Sequence, residues 1–164
     1  MKGMISMINF KNISKLTQEN AEIIANEWHY EGEYSFYDML NDKEDYQEII
    51  SSELRGDNYF QIVDNNTVVA FFCVSQYEIN KFEVGLGLTP NLTGQGLGEK
   101  LMESIENFML NNFQCIEIKL SVAEFNQRAF KVYTKFGYSE QGKESIQING
   151  ISYNFKILTK SFKK

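Results

Sequence analysis

Three glycines stand at the mouth of a predicted helix, in the segment TPNLTGQGLGEKL that runs from Thr89 to Leu101. They are Gly94, Gly96 and Gly98. The first backbone N–H groups of a helix have no partner inside it, and the helix dipole adds about half a positive charge there. Glycines also let an anion approach the backbone closely. The segment therefore predicts a phosphate site, and a tight strand-to-helix turn without a ligand is the alternative.

The common phosphate-binding motifs do not fit this segment. A P-loop continues with Lys and then Ser or Thr after its last glycine, whereas Gly98 is followed by Glu99. A dinucleotide fingerprint needs the spacing G-x-G-x-x-G, and counting from Gly94 or Gly96 its last position falls on Glu99 or Leu101. The strands before the segment also resemble an antiparallel meander rather than a βαβ unit. These patterns speak against a P-loop or dinucleotide site.

The elements that must position the glycines follow from the spacing of apolar residues. We predict the order β-α-α-β-β-β-α-β-α-β-β, which is one α/β domain over residues 1–164. The predicted strands span 4–10, 58–63, 67–76, 80–88, 115–122, 138–148 and 151–159. One predicted helix begins at Thr17, and three others span 43–54, 96–112 and 126–136. The segment 29–41 is predicted to be an aromatic-rich loop. Asn149 and Gly150 predict the turn of the final hairpin.

Composition limits the function classes. The formal net charge is −6, which argues against a nucleic-acid binder that works by general electrostatics. No apolar run has the length of a transmembrane helix, and the first residues lack a signal-peptide core, so we expect a cytoplasmic protein with no membrane partner. Cys73 and Cys115 lie in apolar strand-like runs and are expected to be buried free thiols. One histidine and two distant cysteines predict no metal site.

A second segment, LSVAEFNQRAFKVYTKFGY at 120–138, puts Asn126 and Tyr133 on one predicted helix, followed by Phe136, Gly137 and Tyr138. Together with LTPNLTGQGLGEKL and the element order, it resembles the GNAT N-acetyltransferase superfamily. The resemblance covers the chain from end to end. It implies an α/β (α+β) fold with a mixed, mostly antiparallel central sheet flanked by about four helices. It also implies acetyl-CoA as the cofactor and an amine as the acetyl acceptor.

The resemblance implies where acetyl-CoA binds. The family's loop pattern, (Arg/Gln)-x-x-Gly-x-(Gly/Ala), matches at Gly96 and Gly98 and departs at Thr93, which has no cationic or amide group. The pantetheine arm is expected along the preceding strand at Leu86 and Leu88, and a backbone N–H near Leu88 would polarise the thioester carbonyl. The pyrophosphate is expected on the loop residues Thr93, Gly94, Gln95, Gly96, Leu97, Gly98 and Glu99.

Two residues of the last predicted helix match further family positions. Asn126 matches a position whose side chain hydrogen-bonds the cofactor; it also suits a helix N-cap, and the two roles can coexist. Tyr133 matches the family's general acid. Residues seven apart share a helix face, about 10 Å apart along the axis. A phenol with a reference pKa near 10 can protonate a leaving thiolate. The alternative for Tyr133 is a tyrosine at the edge of the core.

The resemblance also calls for a carboxylate that removes a proton from the amine. Glu83 is our candidate, because alternation places it on the strand face that carries Gly85 and Gly87. The alternative is a solvated or salt-bridged strand residue. Glu78 and Glu124 are rival candidates, so the identity of the base stays open.

The aromatic segment after the first helix lies where this fold builds the acceptor pocket. Trp28, Tyr30, Tyr34 and Phe36 are the candidate acceptor-binding residues, and a packed loop lid is the alternative. The nearby acidic residues favour a cationic amine by the sign of their charge. They are Glu27, Glu31, Glu33 and Asp38.

The sequence therefore predicts an acetyl-CoA-dependent N-acetyltransferase that moves an acetyl group to a primary amine by direct attack on the thioester. The alternative is a non-catalytic acyl-CoA-binding or sensing module on the same fold. The acceptor is a small molecule or a peptide amine that the sequence does not name, and the protein is expected as a monomer or a homodimer.

Overall fold

The computed structural model describes residues 8–162, and one seven-stranded sheet runs through them. Its strands are β1 (Ile13–Lys15), β2 (Tyr59–Asp64), β3 (Thr67–Glu78), β4 (Lys81–Leu88), β5 (Glu117–Ala123), β6 (Ser139–Ile148) and β7 (Ile151–Ser161). They lie in the order β1-β2-β3-β4-β5-β7-β6. All neighbours are antiparallel except β4 and β5, which are parallel. The expected mixed, mostly antiparallel sheet is confirmed, while the prediction of one domain over 1–164 stays a prediction.

Helices cover both faces of this sheet. The α-helices are α1 (Gln18–Glu27), α2 (Lys43–Ile50), α3 (Ser52–Arg55), α4 (Gly98–Asn112) and α5 (Gln127–Lys135). Three short 3-10 helices span Gly32–Tyr37, Met39–Asn41 and Pro90–Leu92. Thr17 caps α1, since its hydroxyl oxygen accepts from the N–H of Asn20 at 3.1 Å. Within residues 8–162, no helix is long and apolar enough to cross a membrane.

Three predicted segments differ from the structure. The predicted strand 4–10 lies partly outside the described residues, and residues 8–10 are not in a strand; the first strand is β1. The predicted helix 43–54 breaks at Ser51, an extended residue whose hydroxyl oxygen accepts from the N–H of Leu54 and so begins α3. The predicted loop 29–41 contains the first two 3-10 helices.

Two buried clusters lie on opposite faces of the sheet. Phe71 belongs to one and Phe72 to the other, and successive residues of a strand point to opposite faces. Helix α4 adds Leu101 and Ile105 to the cluster of Phe72, and α1 adds Ile24 to that of Phe71. The two faces thus hold α4 and α1 in fixed positions around the central strands.

Strands β4 and β5 pair only where they begin. The parallel register joins Lys81 to Glu117 and ends where Glu83 faces Lys119. Beyond that point β4 continues to Leu88 and β5 continues to its own end without pairing in the described structure. The two strands therefore diverge, and the sheet opens next to the start of α4.

Candidate active site

The open edge of β4 exposes an alternating row of backbone groups. The N–H of Thr89 donates to the carbonyl of Val69 on β3 at 2.9 Å. In an antiparallel ladder, the N–H and C=O groups of successive residues point alternately to the two sides. The N–H and C=O groups of Leu86 and Leu88 therefore point to the open side. The hydroxyl of Tyr30 reaches this side as well and donates to the carbonyl of Leu88 at 2.7 Å.

The glycine segment continues from this edge into α4. Gly94 and Gly96 have positive φ angles of 70° and 78°, a conformation that glycine adopts without penalty. Helix α4 begins at Gly98, where an added Cβ would stand 2.9 Å from the side chain of Val132 on α5. Gly98 therefore lets α4 and α5 approach closely, and the N–H groups at the start of α4 face the opening.

A single cleft of about 660 Å³ joins the opening, the glycine segment and the aromatic segment. Most of the residues that the sequence singles out line it. They are Trp28, Tyr30, Tyr34, Phe36, Leu86, Leu88, Thr93, Gly94, Gly96, Leu97, Gly98, Asn126 and Tyr133. Glu83, Gln95 and Glu99 do not line it; Glu99 forms an ion pair with Lys135 at 3.3 Å instead.

Thr93 and Arg128 differ in what they offer the cleft. The hydroxyl of Thr93 donates back to the carbonyl of Pro90 at 2.8 Å, so its proton is used within the 3-10 turn. Arg128, the second residue of α5, places its Nη1 3.1 Å from the position that a Cβ on Gly94 would occupy. Its guanidinium carbon lies 4.2 Å from the ring centre of Tyr34. A cation thus stands beside the glycine segment, and it comes from α5.

Asn126 caps α5, as one of its two predicted roles requires. Its amide oxygen accepts from the N–H of Ala129 at 3.0 Å, and its amide nitrogen donates to the hydroxyl of Tyr37 at 3.0 Å. The second hydrogen bond ties the start of α5 to the aromatic segment. Because Asn126 also lines the cleft, the cap leaves it next to the space where a ligand would lie.

Tyr133 lies on α5, at the edge of the core. Its ring packs near that of Tyr138 with 6.2 Å between centres, and it lines the cleft. Burial, with a smaller contribution from Tyr37, raises the pKa of Tyr133 well above its usual value. The phenol therefore stays protonated at neutral pH, which is the state that a proton donor needs.

Glu83 stands behind the cleft, with one hydroxyl between them. Its carboxylate accepts from the hydroxyl of Ser121 at 3.1 Å and lies 3.8 Å from the ammonium of Lys119. Ser121 belongs to β5 and lines the cleft. Glu83 shares its strand face with Gly85, as the alternation predicts, but its path to the cleft runs through Ser121.

The aromatic segment is held by ring contacts. Phe36 lies at the centre, with Phe125, Tyr153 and Tyr37 at 5.6, 4.9 and 5.2 Å between ring centres. The last hairpin also supports the segment: the Asn149 side chain donates to the carbonyl of Asn41 at 2.8 Å and accepts from the N–H of Lys43 at 3.2 Å. Trp28 packs against Phe71 on the sheet with ring centres 6.1 Å apart.

The acidic groups of this end of the cleft are only partly those that the sequence indicated. Asp38 is buried, where it accepts from the N–H of Tyr30 at 2.8 Å and lies 3.2 Å from Nδ1 of His29. Asp42 and Asp45, from the start of α2, line the cleft, whereas Glu27, Glu31 and Glu33 do not. Asp45 is exposed as a residue, but partial desolvation of its carboxyl group in the cleft, together with the nearby Asp42, raises its pKa to about 7.

Cys73 lines the cleft without being a candidate nucleophile. Burial raises the pKa of the Cys73 thiol to about 11, so it is protonated at neutral pH. Cys73 and Cys115 are both free, as expected, but only Cys115 is buried and Cys73 is half-buried. Within residues 8–162, no cluster of three His, Cys, Asp or Glu side chains could hold a metal ion.

Several polar residues of the cleft had no role predicted from the sequence. Arg128, Ser121 and Asp45 are three of them, although Arg128 and Ser121 lie within the segment 120–138. Arg128 stands two positions after Asn126, so the start of a helix beside a phosphate segment was the available signal. Ser121 and Asp45 reach the cleft through tertiary packing, and their sequence surroundings carry no comparable signal.

Comparison of the sequence with models of known protein families gives a match. The model of the acetyltransferase (GNAT) family matches residues 18–138. Among curated protein sequences, none matches the chain significantly.

Solved structures share the fold at low sequence identity. A spermidine N-acetyltransferase chimera from Vibrio cholerae and hSSAT superposes with a TM-score of 0.73 at 18% identity, over 92% of this chain and 94% of its own. An aminoglycoside acetyltransferase solved with coenzyme A gives 0.70 at 14% identity, over 92% and 94%. An acetyltransferase of the GNAT family from Bacillus anthracis gives 0.70 at 15%, over 91% and 93%. At these identities the likeness shows the fold.

Proposed function

This chain belongs to the acetyltransferase (GNAT) family, and we propose that it moves the acetyl group of acetyl-CoA to a primary amine by direct attack on the thioester. The observation that carries the proposal is the single cleft. It brings an open strand edge, a glycine segment at a helix start and a protonated tyrosine together with an aromatic pocket. Each of these parts has a separate task in the reaction.

The cofactor would lie along the open edge of β4. The amides of a pantetheine arm can pair with the backbone groups of Leu86 and Leu88, as an added strand would. The pyrophosphate would then reach the N–H groups of Gly96 and Gly98, where backbone donors and the helix start favour an anion. The Tyr30 hydroxyl already occupies the carbonyl of Leu88, which leaves the N–H of Leu88 for the thioester oxygen.

The reaction needs one proton delivered and one removed. The amine nitrogen attacks the thioester carbon, the carbon–sulfur bond breaks, and Tyr133 gives its phenolic proton to the sulfur of coenzyme A. The proton released by the amine would pass to the hydroxyl of Ser121, which passes its own to Glu83 along the 3.1 Å hydrogen bond. Tyr133 then regains a proton from solvent and Glu83 releases one to solvent, so both residues return to their starting states and the products are the acetylated amine and free coenzyme A.

The acceptor end favours a cationic or polar amine carried on an apolar body. Tyr34 and Phe36 offer ring faces, and Asp42 and Asp45 bring carboxylates to the same cleft. A carboxylate stabilises an ammonium ion before it loses its proton, and aromatic faces do the same. Spermidine and aminoglycosides, which are named for two structural neighbours, are both cationic amines; spermidine carries them on an apolar chain and aminoglycosides on polar sugar rings.

Calorimetric titration of the protein with acetyl-CoA tests this proposal, with NAD and ATP as controls. We expect acetyl-CoA to bind while NAD and ATP do not at the same concentrations. A panel of amines, spermidine and an aminoglycoside among them, is then assayed by release of the coenzyme A thiol. No binding of acetyl-CoA at millimolar concentration would refute the proposal. Binding without thiol release from any amine would favour an acyl-CoA-binding or sensing module.

A further inference from the structure

We propose that Arg128 supplies the cation for the cofactor's pyrophosphate, in place of the Arg or Gln side chain that position 93 lacks. This inference rests on the proposed function, because it assigns a residue to the phosphates of acetyl-CoA. It adds a binding residue from α5 to a site otherwise built from the backbone of the glycine segment.

Position 93 contributes little to an anion. Thr93 carries no charge, and its hydroxyl proton is directed to the carbonyl of Pro90 at 2.8 Å. Gln95 has a side-chain amide but does not line the cleft, and the three glycines have no side chains, so the donors that the segment offers to the cleft are backbone N–H groups. A pyrophosphate carries charge on both phosphates, whereas a helix start offers only about half a positive charge. A full positive charge beside the segment would therefore strengthen binding considerably.

Arg128 stands at the place where such a charge is needed. Its Nη1 lies 3.1 Å from the position of an added Cβ on Gly94, so the guanidinium borders the glycine segment directly. It lines the cleft and is exposed, which leaves its N–H donors accessible to a ligand. A guanidinium presents five N–H donors in a fork that matches two phosphate oxygens.

The surroundings of Arg128 leave its charge available. Six lysines in residues 8–162 form ion pairs with Asp or Glu, whereas Arg128 has no carboxylate within 4.0 Å there. Its guanidinium instead rests over the ring of Tyr34, with 4.2 Å from its carbon to the ring centre. An aromatic face holds the cation in position without neutralising it. Tyr34 therefore acts as a positioning residue for Arg128.

Lys131 offers a matched control on the same helix. It lies three residues after Arg128 and carries the same charge, it is exposed, and it does not line the cleft. Both side chains change the long-range field of the protein to a similar degree. Only Arg128 would form a direct contact with the phosphates, so a difference between R128Q and K131Q measures that contact.

The test is the affinity of the full chain for three ligands. Acetyl-CoA, acetyl-dephospho-CoA and S-acetylpantetheine are titrated into the unaltered protein, R128Q and K131Q. We expect R128Q to weaken binding of acetyl-CoA and acetyl-dephospho-CoA at least tenfold and to leave S-acetylpantetheine unchanged. K131Q should stay within about twofold of the unaltered protein for all three. Unchanged thermal unfolding of R128Q verifies that this exposed substitution leaves the fold intact.

The outcomes separate this inference from the proposed function. If the unaltered protein binds no acetyl-CoA, both are overturned. If it binds acetyl-CoA and R128Q binds equally well, the proposed function stands and Arg128 is not the cation. If the loss in R128Q disappears with acetyl-dephospho-CoA, Arg128 contacts the 3′-phosphate and the pyrophosphate assignment is overturned. An equal loss for S-acetylpantetheine would also overturn it, since that ligand carries no phosphate.

Discussion

The two ends of the cleft are built in different ways. The end proposed for the cofactor consists mainly of backbone: the open edge of β4, the positive φ angles of Gly94 and Gly96, and the first N–H groups of α4. The end proposed for the acceptor consists of side chains, with Phe36 at the centre of four aromatic neighbours. The cofactor end depends on the course of the backbone and on a few glycines. The acceptor end depends on the identity of each aromatic side chain.

This difference teaches where the chain is free to vary. Backbone N–H and C=O groups are the same for any residue, so the end proposed for the cofactor requires, apart from the Arg128 side chain, only positions that tolerate a left-handed φ or a close approach. Ring contacts depend on size and shape, so a change at Phe36 alters both packing and the space left for a ligand. Four substitutions test the comparison.

The largest effect is expected at Tyr133, where the two ends meet. Tyr133→Phe removes the phenolic proton and keeps the ring, so kcat should fall by about 100-fold or more. The dissociation constant of acetyl-CoA should stay within about twofold, because the backbone end is untouched. Thiol-release kinetics and calorimetry measure the two quantities.

A matched substitution of another tyrosine serves as the control. Tyr46 lies outside the cleft, and its hydroxyl donates to Asn26 at 2.8 Å. Tyr46→Phe should leave kcat unchanged. If Tyr133→Phe keeps full turnover while chemistry limits the rate, Tyr133 is not the acid.

The next effect is expected at the cofactor end. Gly96→Asp places a negative charge near the proposed pyrophosphate, and at about 8 Å with an effective dielectric of about 20 the repulsion is roughly 2 kcal/mol. The affinity for acetyl-CoA should therefore fall about 30-fold. Calorimetry compares this variant with Gly96→Asn, which shares the size and the tolerance of positive φ without the charge. Equal affinities of the two variants would show that no phosphate lies there.

A smaller effect is expected at the acceptor end. Phe36→Leu keeps an apolar side chain but loses the ring contacts, which should lower the free energy of unfolding by about 1 kcal/mol. The KM of the amine should rise more than the dissociation constant of acetyl-CoA. Urea denaturation and steady-state kinetics measure both.

Phe113→Leu provides the comparison within the other cluster. Phe113 contacts Phe60, Phe82 and Phe108 away from the cleft. Phe113→Leu should lower the free energy of unfolding about as much as Phe36→Leu does, without changing the KM of the amine. A similar rise in KM for both variants would mean that Phe36 acts through stability alone.

The smallest effect is expected from the carboxylate of Asp45, because Asp45 is an exposed residue and solvent screens its charge. Desolvation and the nearby Asp42 raise the pKa of Asp45 from 3.8 to about 7. Between pH 3.8 and about 7, the folded state therefore binds more protons than the unfolded state. The contribution of Asp45 to stability is therefore fully present below about pH 4 and is lost as the pH rises through about 7. Asp45→Asn should flatten this decline, as measured by urea denaturation at several pH values.

Asp57 provides a control of opposite sign. Lys15, at 2.7 Å, lowers the pKa of Asp57, so its contribution grows with rising pH. Asp57→Asn should therefore not flatten a decline between pH 4 and 7. If the free energy of unfolding of Asp45→Asn depends on pH as steeply as that of the unaltered protein, Asp45 has its ordinary pKa.

Much of the cofactor end could be predicted from the sequence because its signals are local. Glycines before an apolar helical pattern indicated the strand-to-helix turn, and Gly94 and Gly96 do adopt positive φ. Asn126 indicated a helix cap three residues before Ala129, and it caps α5. Such features are determined by a few neighbouring residues, so periodicity and residue type were sufficient.

The remaining features depend on contacts between distant segments. Ser51 is a residue type that often caps helices, and it caps α3. The helical spacing of apolar residues continues across it from 43 to 54, so the sequence predicted one unbroken helix. Strand β1 has only three residues and exists because it pairs with Phe60, Gln61 and Ile62 of β2. Ser121 faces Glu83 from another strand. A single sequence carries no signal for such pairings, because they depend on the tertiary arrangement.

The docking of the last hairpin on the aromatic segment affects the order in which the protein can be completed during synthesis. Asn149 bonds to the backbone of Asn41 and Lys43, and Tyr153 contacts Phe36, so partners more than a hundred positions apart meet at the acceptor end. Synthesis adds about 5–20 residues per second, so the hairpin of β6 and β7 is made several seconds after the aromatic segment. The proposed acceptor pocket is therefore completed only when the hairpin of β6 and β7 has emerged, whereas the turn from β4 into α4 can form earlier.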